Sequence, residues 1–156
     1  MMFILKKNKN LNHLIGGFFI EKSLYLWYNL NNFKKRVLIM NRGEKAKKYF
    51  LDGYACAQSV VLAFNDILDI SEDDLKKISI PFGGGLSRLR LTCGCVSGMA
   101  IVIGLLFSDN TSSNDNKAYV YSLVQNITKR FNDEYNTLSC EELLKKANLK
   151  VEIAGK

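Results

Sequence analysis

Proline and histidine are almost missing from this chain of 156 residues, at one each. His13 has no second imidazole to join in a His-based metal site, and it lies outside the part of the chain that reads as folded, so no Ser–His–Asp or Cys–His arrangement is expected. Hydrophobic runs long enough to span a membrane are missing too. The N-terminal stretches Leu14 to Ile20 and Val37 to Met40 fall far short of the roughly 20 residues a spanning helix needs, so no transmembrane segment is expected. No charged, then apolar, then small-residue leader is visible, which points away from secretion and to the cytoplasm. What the chain does have is 47% apolar residues and 11% aromatics, enough for one core and against wholesale disorder.

Acids are in deficit, 15 against 22 bases, for a net charge of +7. The excess is not spread evenly. Residues 1–40 carry seven bases and one acid, Glu21, whereas residues 41–156 carry 15 bases and 14 acids. A nucleic-acid reader needs its basic face on the folded part, because phosphate neutralisation supplies most of the affinity. The balanced segment argues against nucleic acid as a partner. Residues 1–40 also lack sustained periodicity, and they divide from the rest at Met40. They read either as a basic, aromatic extension that touches a membrane or partner, or as sequence upstream of a functional chain that begins at Met40. The second reading is the expectation, with 41–156 as the functional domain.

From residue 41 the patterning is helical. Arg42 to Leu51 predicts a short helix with Ala46, Tyr49 and Phe50 on one side, interrupted by Gly53. Apolar residues at 57, 60, 61, 64, 67 and 68 predict an amphipathic helix from Tyr54 to Leu68. Ser71-Glu72-Asp73-Asp74 has the form of a capping box for a helix to about Ile78, and Pro81 stops further helix. The run from Leu91 to Phe107 carries no charge and is apolar all round, which predicts a central, buried helix over about 92–107. Gly94 and Gly98 share one face of it and would admit a close neighbour. After a polar linker, Tyr119 to Phe131 marks another amphipathic helix ending near Asp133. Ser139-Cys140-Glu141-Glu142 opens a last short helix through Ala147. Strand-like alternation is scarce. The expected fold class is all-α, a compact helical bundle around the 92–107 helix.

Cys56, Cys93, Cys95 and Cys140 carry the chemical interest, since all four fall in the first turn or so of predicted helices. Free N–H groups and the helix dipole favour a thiolate there, and a thiolate is both nucleophile and metal ligand. Buried cysteine is also an ordinary small apolar residue, so inert packing stands beside redox chemistry. Arg88 and Arg90 would add positive potential around Cys93. Residues two apart on a helix do not face each other, so pairing of Cys93 with Cys56 or Cys140 is more natural than with Cys95. A metal reading would use all four cysteines for zinc or an iron–sulfur cluster, although their spacing matches no common pattern. Phe82-Gly83-Gly84-Gly85 is a loop able to take positive φ at three consecutive positions. Gly83, Gly84, Gly85 and Arg88, with Arg90, could cradle an anion or nucleotide phosphate, but the Lys-Ser/Thr pair of a phosphate-binding loop is missing. A tight turn and close helix packing explain the glycines as well. The acid pairs Asp73-Asp74 and Glu141-Glu142 are explained by the helix dipole, and Tyr54, Tyr119 and Tyr121 by packing.

Four segments then occur in order: Tyr54-x-Cys56-Ala57-Gln58-Ser59, Phe82-Gly83-Gly84-Gly85, Thr92-Cys93-Gly94-Cys95-Val96-Ser97-Gly98, and Ser139-Cys140-Glu141-Glu142. Together, over about Lys45 to Leu144, the chain resembles the C_GCAxxG_C_C family of redox-active proteins, which carry a Cys-Gly-Ala-x-x-Gly motif. The resemblance implies a helical fold and a redox role, with Cys56, Cys93 and Cys140 matching the first three family cysteines. It also implies a redox partner protein or a transporter or oxidoreductase system as partner. Two departures stand out. Cys95 occupies the place of the motif's Ala, and the chain runs only 16 residues past Cys140, short of a fourth family cysteine. Either Cys95 takes over the missing partner's role, or the chemistry is impaired. A shortened end would uncover core surface, favouring a partner chain or a homo-oligomer. The combined expectation is a thiol–disulfide or redox-sensing protein with Cys93 attacking and Cys56 or Cys140 resolving.

Overall fold

The structure, a computed structural model, describes residues 42–153. The 1–40 extension and His13 lie outside the described residues. Within them six α-helices follow one another: α1 Arg42–Leu51, α2 Cys56–Leu62, α3 Glu72–Ser79, α4 Gly94–Phe107, α5 Asn114–Tyr135 and α6 Cys140–Lys146. A 3-10 turn, Ile80–Phe82, holds Pro81 where α3 gives out. The protein is all-α, and its one departure among the described residues is an isolated antiparallel bridge between Thr92 and Ser139.

The capping signals work as the sequence predicts. Ser71 Oγ accepts from the Asp74 N–H at 3.1 Å and opens α3. Ser139 Oγ accepts from the Glu142 N–H at 3.3 Å and opens α6. Each side-chain oxygen satisfies one of the donors that a helix start leaves free. Helix α5 begins earlier than the apolar stripe, because Ser113 in the polar linker caps it, and it ends on Asn136 at φ 52°.

Two expectations need correction. The helix drawn from Tyr54 to Leu68 stops at Leu62, and tighter turns continue it. Phe64 N–H donates to Val61 O at 3.0 Å and Ile67 N–H to Phe64 O at 3.0 Å. A continued α-helix would send the Ile67 N–H to the Ala63 carbonyl, but Arg42 donates to that carbonyl instead. The buried Arg42 guanidinium also pairs with both carboxylate oxygens of Asp66 and lies 5.2 Å from the Phe64 ring centroid. This one side chain ties α1 to the end of α2. The predicted core residues survive the change, since Val60, Val61, Phe64 and Leu68 are all buried.

The second correction concerns α4. Its burial is one-sided, not all-round. Gly94, Cys95, Val96, Gly98, Met99, Val102 and Ile103 are buried, yet Leu105 is 43% exposed. The apolar sequence exceeds what α2 and α5 cover at the C-terminal half. At the N-terminal half the packing is tight. A Cβ on Gly98 would meet the Ala57 carbonyl oxygen at 2.9 Å and Val60 Cβ at 3.0 Å.

Two outcomes follow from this packing. Gly98→Ala should cost about 1–3 kcal/mol by overpacking the α2–α4 contact, read as a lower urea midpoint at unchanged slope. The Arg42 hydrogen bonds hold the Asp66 carboxyl well below the usual carboxylate range. Its stabilisation is therefore complete above the unfolded value, roughly pH 4, and is lost as pH falls toward the lower folded value. In urea titrations across pH, Asp66→Asn should be less stable at neutrality, with the gap to wild type closing in acid.

Candidate functional site

The structure gathers the four cysteines from three helix starts. Cys56 is the first residue of α2, Cys93 is the N-cap of α4, Cys95 is its second residue, and Cys140 is the first residue of α6. All are free thiols. Cys93, Cys95 and Cys140 are 8%, 3% and 8% exposed, while Cys56 is half-buried.

Gly94 is the hub. A Cβ placed there would lie 2.3 Å from Cys56 Sγ and 3.0 Å from the Phe82 carbonyl oxygen. The Cys56 sulfur thus rests on the bare backbone between Cys93 and Cys95, a seat that any side chain at 94 would fill. Cys140 is brought in by the bridge. The Cys93 N–H donates to Leu138 O at 2.8 Å, and the Cys140 N–H donates to Leu91 O at 2.6 Å.

The glycine loop closes the other side. Gly83 has φ −64°, so only Gly84 (+63°) and Gly85 (+72°) take positive φ, not all three glycines as the sequence allowed. The left-handed run instead continues through Leu86, Ser87 and Arg88, with φ of 59°, 48° and 67°. Hydrogen bonds from Ser87 N–H to Pro81 O at 2.7 Å and from Leu91 N–H to Gly85 O at 3.0 Å hold this unusual turn. Gly84 N–H donates to the Cys56 sulfur. A Cβ on Gly85 would meet Cys140 Cβ at 2.6 Å. Of the glycines proposed for an anion, Gly84 and Gly85 therefore meet cysteines, and Gly83 packs against Ala55, where a Cβ would lie 2.6 Å from the Ala55 Cβ.

The arginines also differ from expectation. Arg90, at φ 65°, is turned inward and 4% exposed, with Nη1 4.0 Å from Cys140 Sγ and Nε donating to Glu152 O at 2.7 Å. Its charge faces Cys140, not Cys93. Arg88 lies at the surface, with Nη2 3.7 Å from the Glu152 carboxylate.

Electrostatics separates the four thiols. Cys93 alone is lowered: the Cys95 S–H donates to its sulfur, and the N–H groups of Cys95 and Val96 add to that, together outweighing burial. This overturns the expectation that Cys93 and Cys95 cannot face each other. Cys93 stands at the N-cap, outside the helical repeat, and an N-cap side chain folds back over the second and third residues. The other three thiols go up, where their place at helix starts predicted the opposite. Burial, then the charge on Cys93, pushes Cys56 up to about 12. Cys95 is raised well above the ordinary thiol because its proton is held by Cys93, and burial adds to this. Cys140 is raised by burial and by Cys93, with Arg90 opposing. The first thiolate formed suppresses the others.

A metal centre needs several converging deprotonated donors. Among the described residues, no three His, Cys, Asp or Glu side chains converge so as to hold an ion. The set Cys56, Cys93, Cys95 and Cys140 does not fit zinc or an iron–sulfur cluster in this arrangement. No helix among the described residues is long and apolar enough to cross a membrane.

One residue escaped the sequence reading. The Tyr135 hydroxyl is buried without a hydrogen-bond partner. Burial, Glu134 and the nearby Cys95 and Cys93 push it up to about 12. The spacing 127, 131, 135 was the available signal, since it extends the apolar stripe of α5 past Asp133, where the helix was expected to end.

Iodoacetamide should therefore alkylate Cys93 first, with a pH midpoint below the roughly 8.5 of a free thiol. Cys95→Ala removes the S–H donor and should move that midpoint upward, read as alkylation rate against pH by mass spectrometry.

No curated protein and no solved structure matches the chain. A family model described as "Putative redox-active protein (C_GCAxxG_C_C)" matches residues 54–155, a span that contains all four cysteines, the glycine loop and Tyr135. On that match, the chain belongs to the C_GCAxxG_C_C family.

Proposed function

We propose that this protein is a cytoplasmic redox protein that works by reversible formation of an internal disulfide at Cys93. The observation that carries the reading is the meeting of helix starts at Gly94, which seats the Cys56 sulfur on the backbone between Cys93 and Cys95; Cys93, lowered by the Cys95 S–H, is the thiol favoured as nucleophile. A single activated nucleophile beside protonated thiols is the arrangement that thiol–disulfide exchange requires.

In this reading Cys93 is the attacking sulfur and Cys56 the resolving one, because the Cys56 sulfur sits on Gly94 beside it. Cys140 is the alternative resolving thiol. The return half uses the same asymmetry. Cys93, the more acidic thiol, is the better leaving group, so a reductant's thiolate attacks the Cys56 sulfur and Cys93 departs. Two electrons pass from the reductant's thiols to the disulfide, and the reductant leaves oxidised. The fitting reductant is a redox partner protein. Exposed Ile80, Leu89 and Leu91, at 56%, 46% and 54%, lie on the segment that walls the thiols and offer it an apolar landing.

Equilibrating the full chain in glutathione buffers, then mapping peptides without reductant, tests this. The expected product is a Cys93–Cys56 disulfide that Cys93→Ser abolishes. Four thiols that stay free at every glutathione ratio, or oxidation untouched by Cys93→Ser, would overturn it.

A further inference from the structure

The backbone over residues 84–90 is held in a form that its side chains disfavour. Gly84, Gly85, Leu86, Ser87 and Arg88 take positive φ in succession, and Arg90 does so again at 65°. In the left-handed region a Cβ crowds the following carbonyl oxygen, so residues other than glycine enter it singly and seldom in runs. A strained segment of this kind persists only where its surroundings over-determine it, and such segments gather at switches and functional sites.

Two kinds of tie hold this one. The first lie within the turn: Ser87 N–H donates to Pro81 O at 2.7 Å, Leu89 N–H to Leu86 O at 2.9 Å and Leu91 N–H to Gly85 O at 3.0 Å. The second run to the cysteines. Phe82 O stands 3.0 Å from the Cβ position on Gly94 that the Cys56 sulfur crowds at 2.3 Å, and Gly83 packs on Ala55, so this end of the turn lies over Cys56. There the Gly84 N–H donates to the sulfur. At the other end Gly85 lies against Cys140. The buried Arg90 guanidinium sets Nη1 4.0 Å from Cys140 Sγ, while its Nε donates to Glu152 O at 2.7 Å. The turn is thus braced on the two thiols that are able to resolve Cys93.

Resting on the disulfide reading above, we propose that residues 83–91 form a redox-sensitive strap, closed while Cys56 and Cys140 are free thiols and released when either bonds to Cys93. The bond forms at the expense of a small disulfide such as glutathione disulfide. The two protein thiols lose two electrons and two protons, and the oxidant takes them up as two thiols. A sulfur drawn into an S–S bond turns toward Cys93 and leaves its donor on the strap. Pairing with Cys56 removes the acceptor of the Gly84 N–H, and pairing with Cys140 removes the sulfur beside Arg90. With one tie gone the left-handed run relaxes. Leu86, Leu89 and Leu91, which are 40%, 46% and 54% exposed in the closed form, then leave their places. The oxidised chain presents the reductant with a different apolar face and a barer disulfide.

Trypsin reads the strap, because it cuts after Arg88 and Arg90, and Arg90, only 4% exposed, must swing out to enter the protease. At low protease concentration the cutting rate follows the population of the open form. The full chain is compared reduced and after oxidation by glutathione disulfide, with the disulfide confirmed by mass. The cut after Arg130, within α5, is the reference for opening of the whole bundle. Oxidation should raise the cut after Arg90 about fivefold over that reference, the worth of one hydrogen bond. Reduced Cys56→Ala, which lacks the acceptor, should show the same rise without oxidant. Ser87→Gly, which takes positive φ without strain, should slow the cut after Arg90 in both states. A confirmed disulfide with an unchanged cutting ratio overturns the strap and leaves the redox reading standing. A ratio unmoved by Cys56→Ala or by Ser87→Gly overturns the strap equally. If no disulfide forms, the redox reading falls and takes the strap with it.

Discussion

The contact on which the site depends is the seat of the Cys56 sulfur on the backbone of Gly94. Helix α2 presses end-on against the first turn of α4, and a Cβ at 94 would stand 2.3 Å from that sulfur. The contact needs a residue without a side chain at 94. It also needs the Phe82 carbonyl alongside, which would lie 3.0 Å from the same Cβ. By bringing two helix starts together it brings Cys56 beside Cys93 and Cys95. The bridge between Thr92 and Ser139 adds the third start, and with it Cys140. Close packing and sulfur chemistry are thus one arrangement: loosening α2 from α4 would separate the thiols and uncover the core together.

Within the cluster, burial and charge pull in opposite directions. Each buried thiol resists losing its proton, and each helix start favours the loss. Cys93 escapes burial's penalty because it alone receives an S–H donor as well as backbone N–H groups. Once Cys93 is charged, its neighbours pay for that charge by keeping their protons. A cluster of four similar thiols therefore becomes one nucleophile with three proton-bearing neighbours. Cys95 is central to the division, since the proton that settles Cys93 is its own. Arg90 offsets part of the rise at Cys140 without reversing it.

The loop over residues 83–91 shows how much irregular backbone the cluster requires. Three consecutive residues with side chains, Leu86, Ser87 and Arg88, take left-handed conformations, each disfavoured by about 1–2 kcal/mol. Hydrogen bonds to the Pro81, Gly83, Gly84 and Gly85 carbonyls hold the turn. Its yield is positional. Gly84 reaches Cys56, Gly85 lies flat on Cys140, and Arg90 turns inward to the same cysteine.

Helix positions, the serine caps, the glycine face of α4 and the placement of all four cysteines at helix starts were legible in the residues. They follow from local rules, namely period, capping and the want of a Cβ, which hold wherever a segment sits. The early end of α2 was not legible, because it depends on Arg42 arriving from another helix to take the Ala63 carbonyl. Nor was the facing of Cys93 and Cys95, which turns on whether residue 93 lies inside the helix or caps it. Tyr135 was hidden for the same reason: a hydroxyl at the end of an apolar stripe gains meaning only from what packs against it. By itself, then, the sequence determined six helical segments and four sulfurs at their tips. Which sulfur is charged, which are silenced and which arginine faces them were decided by tertiary packing, since thiol ionisation depends on burial and on neighbours distant in the chain.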